Sequence, residues 1–320
     1  MTEPLQDAVR VARMYYYGER TTQEIATELG LSRSKVSRLL KFAKERGLVE
    51  IRILDPDTQT SALEHLLRSN FGVREVQVVD VPEAAGEEVW LERVATVAAA
   101  YLGTLMQDGT VLAMAWGTTV SAISERLGVK PLKNVQVVQL NGSGNTHDAG
   151  LRYSAELLRG FADAYGAKTH TFPVPTFFDF PETKRALWLE RSVRRILDLQ
   201  AKADVFLYSI GAVEAGVPSH VYTGGYLEPA DLSELRSTGV VGDIATVFFR
   251  ADGSYRDIPI NARASGPDLS LLARAENAVC VVSGRGKVEG VRAALRGGYL
   301  KKLIIDEPTA RLLCEGLEPR

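Results

Sequence analysis

Apolar and polar positions alternate in two regimes along this chain. Residues 7–17 repeat Ala, Val, Met and Tyr at helical spacing and are followed by Gly18, a helix stop. Thr21 and Glu24 stand three apart, the spacing of a capping box, so a short helix is expected over 22–29, ending at Gly30. Ser32 is placed to cap a second helix over 33–46. That helix gathers Val36, Leu39, Leu40 and Ala43 on one face and is followed by Gly47. Residues 48–54 alternate apolar with polar, the period of a strand.

Beyond the polar, proline-containing segment 55–58 the regime changes. Helical patterns are expected over 61–70 and 87–107. Strand-type runs then fall at 76–79, 111–115, 135–140, 168–172, 205–210, 244–249, 278–282 and 303–305. Helices are expected among them at 119–127, 151–165, 182–202, 288–296 and 308–315. This alternation specifies an α/β domain with a largely parallel sheet. Two domains follow, 1–56 and 57–320.

Turn chemistry in the first domain suits a helix-turn-helix. Ala26 permits close helix crossing, Gly30 the turn, and Val36 fills the gap between helices, with Leu29, Leu31 and Leu39 around it. The outward face of the second helix carries Arg33, Ser34, Lys35, Ser37, Arg38 and Lys41, with almost no acidic residue. A basic helix face on its own is usually a solvated surface. Here it stands within the ordered cap, turn and core residues, ahead of a strand suited to a wing, and points to DNA. The expected contacts are Thr22, Ser32, Arg33, Ser34, Lys35, Ser37, Arg38 and Lys41, with Arg33, Ser34, Ser37 and Arg38 reading base edges.

Net charge is -2 over 320 residues, so any DNA contact is local rather than a general polycationic coat. Cys280 and Cys314 are isolated, and His65, His147, His170 and His220 lack ligand spacing, so neither a disulfide framework nor a metal site is expected. No cofactor is called for. The apolar run 94–106 is too short to span a bilayer, and a cytoplasmic protein is expected.

In the second domain two strand-to-helix turns have anion-binding chemistry. Trp116-Gly117-Thr118-Thr119 offers a glycine turn, two hydroxyls and a helix start. Ser283-Gly284-Arg285-Gly286-Lys287 offers two glycines and two cations. Each alone is equally well read as a capped helix start or an exposed lysine; on one sheet they favour a shared pocket. Asn141, Gly142 and Asp243 lie at further strand ends or turns, where their side chains or backbone could meet sugar hydroxyls. Ordinary turn formation is the alternative for each.

The ordered motifs resemble the SorC family of bacterial regulators over nearly the whole length. They are Thr-Gln-Glu-Ile-Ala (22–26), Leu-Ser-Arg-Ser-Lys-Val-Ser-Arg-Leu-Leu (31–40), Trp-Gly-Thr-Thr (116–119), Val-Gln-Leu-Asn-Gly (138–142), Val-Gly-Asp (241–243) and Lys-Val-Glu-Gly-Val-Arg-Ala-Ala-Leu-Arg-Gly-Gly-Tyr (287–299). The resemblance implies a winged helix-turn-helix joined to a larger Rossmann-like effector domain similar to sugar-phosphate isomerases. It also implies a homo-oligomer, a tetramer or dimer, and a repressor of double-stranded operator DNA controlled by a sugar phosphate or related carbohydrate. By position, Gly117, Thr118 and Thr119 look like the phosphate loop, completed by Lys287, with Asn141, Gly142 and Asp243 toward the sugar. Ser283 and Arg285 depart from the smaller or acidic residues the resemblance leads one to expect. The competing reading is a sugar-phosphate isomerase or deaminase tethered to DNA; it needs a positioned base, for which Asp243 is the one obvious candidate. No catalytic residue is expected on the regulator reading.

Overall fold

The computed structural model describes residues 3–18, 20–45, 48–49, 59–145, 149–212, 217 and 219–318. The chain forms two compact units, Met1–Asp55 and Pro56–Arg320.

The first unit is built on helices Glu3–Tyr16, Thr22–Leu29 and Arg33–Glu45. The Thr21 N–H donates to Glu24 Oε2 at 2.8 Å and the Glu24 N–H to Thr21 Oγ1 at 3.3 Å, closing the capping box. Gly30 ends the helix at φ 63° and ψ 32°, a left-handed conformation that a side chain would strain. Ser32 Oγ accepts the Lys35 N–H at 3.2 Å and so caps the next helix. Ala8, Val11, Ile25, Ala26, Val36, Leu40 and Ala43 are buried together. The strand expected over 48–54 lies, from residue 50 onward, outside the described residues, as do Arg46, Gly47 and the 55–58 boundary.

Among the described residues the second unit holds nine strands: β1 (Glu75–Val79), β2 (Val111–Met114), β3 (Gln136–Gln139), β4 (Lys168–His170), β5 (Val205–Tyr208), β6 (Val240–Ile244), β7 (Val247–Arg250), β8 (Asn277–Val282) and β9 (Lys302–Asp306). Seven form one parallel sheet in the order β1-β9-β8-β5-β2-β3-β4. Its central strands are buried on both faces, which is why they read as continuous apolar runs. Alternate residues divide between two cores: Phe206, Tyr208, Cys280 and Val282 on one face, Val205, Leu207, Val279 and Val281 on the other. After β2 the chain proceeds outward to β3 and β4, then returns to place β5 on the other side of β2. This reversal is a topological switch point, where loops diverge and leave a crevice at the strand C-termini.

Two expectations fail for identifiable reasons. The single strand over 244–249 is instead the end of β6, a turn and β7, paired antiparallel. Ala245 and Thr246 make the turn at φ 48° and 69°, the two-residue geometry that usually advertises itself with Gly or Asn. The single helix over 182–202 is two, Pro181–Leu187 and Arg191–Ala201. Trp188 sits at the break, its ring 5.6 Å from those of both Phe172 and Phe178. Among the described residues no helix is long and apolar enough to cross a membrane.

Candidate functional site

On helix Arg33–Glu45 the residues Arg33, Ser34, Lys35, Ser37, Arg38 and Lys41 are exposed, opposite the buried Val36, Leu40 and Ala43. Ser32 is exposed at the helix start and Thr22 half-buried at the start of the preceding helix. No carboxylate occurs on this helix before Glu45, so its field is positive along the exposed face. The Arg38 Nε donates to the Ser34 carbonyl at 3.3 Å, which holds the guanidinium against its own helix. Polar and cationic, this face has the chemistry to meet phosphates and guanine edges in a major groove.

In the second unit, a cavity opens at the β2/β5 switch point. It gathers six of the seven effector residues expected from sequence: Gly117, Thr118, Thr119, Asn141, Asp243 and Lys287. Gly117 has φ 149° and ψ 168° and leads straight into helix Thr118–Ser124. Thr119 Oγ1 accepts from Ser209 Oγ at 3.2 Å and lies 3.5 Å from Lys287 Nζ, so β2, β5 and β8 meet at one hydroxyl.

Two buried polar side chains face this cavity with atoms left over. Asn141 is 1% exposed and both its amide atoms lack a partner. Asp243 is 3% exposed; its Oδ2 accepts the Thr246 N–H at 3.1 Å, while Oδ1 lacks a partner. Burial drives the Asp243 carboxyl up to about 6, against the opposing pull of the Thr246 N–H, the nearby Tyr222 hydroxyl and the Lys287 charge. The hairpin carrying Asp243 is fixed to the end of β5 by paired backbone hydrogen bonds with Gly211, at 2.9 and 3.0 Å. A Cβ at Gly211 would stand 2.0 Å from Asp243 Oδ1.

Lys287 is 5% exposed. Burial lowers its pKa, and the neighbouring Cys280, Asp306, Glu87 and Asp243 act in the opposite direction. The turn that delivers Lys287 differs from the sequence expectation of an anion loop. Its Gly284 N–H donates to Asp306 Oδ2 and its Arg285 N–H to Glu87 Oε1, both at 2.9 Å. Arg285 turns outward, pairing with Glu83 and lying 5.1 Å from the Trp90 ring. Protein carboxylates therefore occupy the backbone donors, and the turn's contribution to the cavity is Lys287.

Gly142 is the one expected effector residue outside the lining. Its N–H donates to Ser265 Oγ at 2.9 Å, and its carbonyl accepts from Trp116 Nε1 and Thr176 Oγ1, also at 2.9 Å. It is a structural crossing point. Conversely, Ser219, His220 and Val221, between β5 and β6, line the cavity without any sequence signal. The His220 ring meets Trp116 edge-on at 6.0 Å, and burial lowers its pKa.

Residues 55–315 match the family model "Putative sugar-binding domain". The chain belongs to the SorC family of sugar-responsive transcription regulators. Residues 10–46, covering most of the three-helix unit, match Sigma-70 region 4. The deoxyribonucleoside regulator of Bacillus subtilis (strain 168) is 35% identical over 317 residues, covering 98% of this chain and 99% of the relative. Full-length sorbitol operon regulator SorC from Klebsiella pneumoniae superposes with a TM-score of 0.71 at 27% identity, covering 98% of this chain and 99% of that one. A domain of a "possible sugar-binding transcriptional regulator" from Arthrobacter aurescens TC1 gives 0.75 at 44% identity, over 81% and 99%. This SorC-family chain is thus a DNA-binding regulator with a sugar-binding effector unit.

Proposed function

We propose that this chain represses transcription from double-stranded operator DNA and that a sugar phosphate or related carbohydrate in the switch-point cavity controls its operator affinity. Residues 1–56 carry the DNA contact, through Thr22, Ser32, Arg33, Ser34, Lys35, Ser37, Arg38 and Lys41. Residues 57–320 carry effector binding and oligomerisation. A single small reader covers one half-site, so a cytoplasmic homodimer or tetramer supplies the paired contacts a palindromic operator needs.

One observation carries the effector reading: the cavity joins a cation to unsatisfied neutral and acidic hydrogen-bonding groups, all buried. Lys287 and the Gly117-Thr118-Thr119 turn suit an anionic end of a ligand. The unpartnered Asn141 amide and Asp243 Oδ1 suit adjacent hydroxyls, since a buried polar group left unpaired costs about 1–3 kcal/mol. Asp243 acts as a hydroxyl acceptor, and the cavity binds without turnover. Pentose-containing carbohydrates head the list of effectors, because one relative is named a deoxyribonucleoside regulator.

Two variants separate the units. Arg38→Ala should weaken operator binding about 10- to 100-fold in a fluorescence anisotropy titration at fixed salt and leave effector affinity unchanged. Thr118→Ala should cost roughly tenfold in effector affinity by calorimetry with operator affinity of the free protein intact. Equal losses in both assays from either variant would sink the division of labour. Consumption of a pentose or hexose phosphate in the absence of DNA would favour the enzyme instead.

Glu87→Gln tests how Lys287 is kept charged. The amide oxygen can still accept the Arg285 N–H, but the negative charge beside Lys287 is gone. Lys287 then loses its proton at lower pH. The alkaline fall of sugar-phosphate affinity should move to lower pH, read by calorimetry across the alkaline range.

A further inference from the structure

At the opposite end of the sheet from β1, strand β4 forms the edge, and helix Arg191–Ala201 packs over β3 beside it. Between helix and strands runs an open groove that shares no residue with the effector cavity. Arg191, Arg194 and Arg195 line it from the helix and Lys202 from the residue that ends it, with Asp198 as the one carboxylate. Gln136 and His170 line it from the sheet, locked together by a 3.0 Å hydrogen bond between His170 Nε2 and Gln136 Oε1. We infer that this groove is a second ligand site, one that takes a chain of two or more phosphoryl groups.

Cations without a carboxylate partner cluster in this groove. Arg126, Arg250, Arg263, Arg292 and Arg311 each have a carboxylate within ion-pair distance. Among the described residues, none of the four groove cations has one. Packing does not require them, because the helix is anchored by Val193, Ile196 and Gln200 on its other face. Helix stability disfavours them, since like charges at the Arg191/Arg195 spacing repel. His170 registers the resulting field: burial, then the charges of Lys168 and Arg195, push its imidazole below the ordinary value.

The ligand class follows from length and lining. Arg191 and Lys202 are eleven positions apart, roughly 16 Å along a helix axis, further than one phosphate can bridge. Guanidinium groups grip phosphoryl oxygens in pairs, and three of the four cations are arginines. Leu199 is the single aliphatic lining residue, so a base or other apolar appendage gains little. Recognition is of the phosphoryl chain itself, whether inorganic or carried on a nucleoside.

Calorimetry on the full chain at low salt, without divalent cations, tests this with inorganic tripolyphosphate, ATP and orthophosphate. Tripolyphosphate and ATP should bind with similar affinity, and orthophosphate at least tenfold more weakly. The double variant Arg191→Glu/Arg195→Glu should lose at least tenfold for tripolyphosphate, Arg195→Gln should lose less, and Thr118→Ala should lose nothing. All three positions are on the surface of the helix or in the separate cavity, and unchanged thermal unfolding confirms an intact fold for each variant. Three results would overturn the site: no tripolyphosphate binding, binding that survives the double variant, or binding that Thr118→Ala abolishes. A tenfold preference for ATP over tripolyphosphate would overturn the ligand class.

Discussion

Gly142→Ala is expected to destabilise the sugar-binding unit by about 3 kcal/mol, read as a lower urea midpoint for its unfolding. A Cβ built at this position lies 2.3 Å from the Val174 carbonyl oxygen and 2.7 Å from that of Pro175. Both obstacles are backbone, and the Thr176 hydroxyl and Trp116 indole hold the segments together through the Gly142 carbonyl. Neither side can move aside without breaking a buried hydrogen bond. The sequence resemblance places Gly142 among effector contacts, and the two roles predict different data. An effector contact through the backbone would weaken ligand binding in the alanine variant while leaving the midpoint in place; that outcome would refute the structural role.

The second large effect is a gain. Asp243 is buried with its pKa raised from 3.8 to about 6, so the folded protein retains this proton to higher pH than the unfolded chain does. The sign follows: the group's contribution to stability is complete below about pH 4, is lost as pH rises toward 6, and stays lost above it. The difference amounts to about 3 kcal/mol. Asp243→Asn removes the titration while keeping an oxygen to accept the Thr246 N–H. It should therefore stabilise the protein by about 2–3 kcal/mol above pH 7 and by little at pH 4, measured as chemical unfolding at the two pH values. The same variant should bind the effector at least tenfold more weakly, because a charged acceptor has become a neutral one. Stability sacrificed at a cavity wall is the mark of a functional group. A variant equally stabilised at pH 4 and pH 8 would show that the burial of charge is not the cause.

Legibility in the sequence followed the range of the interactions. The capping box at Thr21 and Glu24, the turn at Gly30 and the cap at Ser32 depend on neighbours three to five residues away, and all could be read directly. Buried parallel strands were equally plain, being short apolar runs between helical ones. The β6/β7 turn escaped because Ala245 and Thr246 carry no turn signature, although Asp243, three positions back, accepts the Thr246 N–H. Trp188 looked like a residue of a continuous helix because its partners Phe172 and Phe178 lie on another segment. At the cavity, glycine-rich turns gave the positions of Gly117 and Lys287. They could not tell that Glu87, some two hundred residues before Arg285, already occupies the second turn's backbone. His220 had no motif at all, only a place beside Trp116.

The sheet's outer order has a consequence for how the protein comes into being. β1, the first strand of the unit to be synthesised, pairs only with β9, the last, joining Glu75 to Lys302. Loop closure over such a separation is slow, and no shorter chain contains the partner. On the ribosome the three-helix reader, complete within the first 55 residues, can fold well before the final strand emerges. Synthesis at about 5–20 residues per second leaves an interval of ten seconds or more. Each new molecule thus can complete its DNA-binding unit before its sugar-binding unit has its last strand.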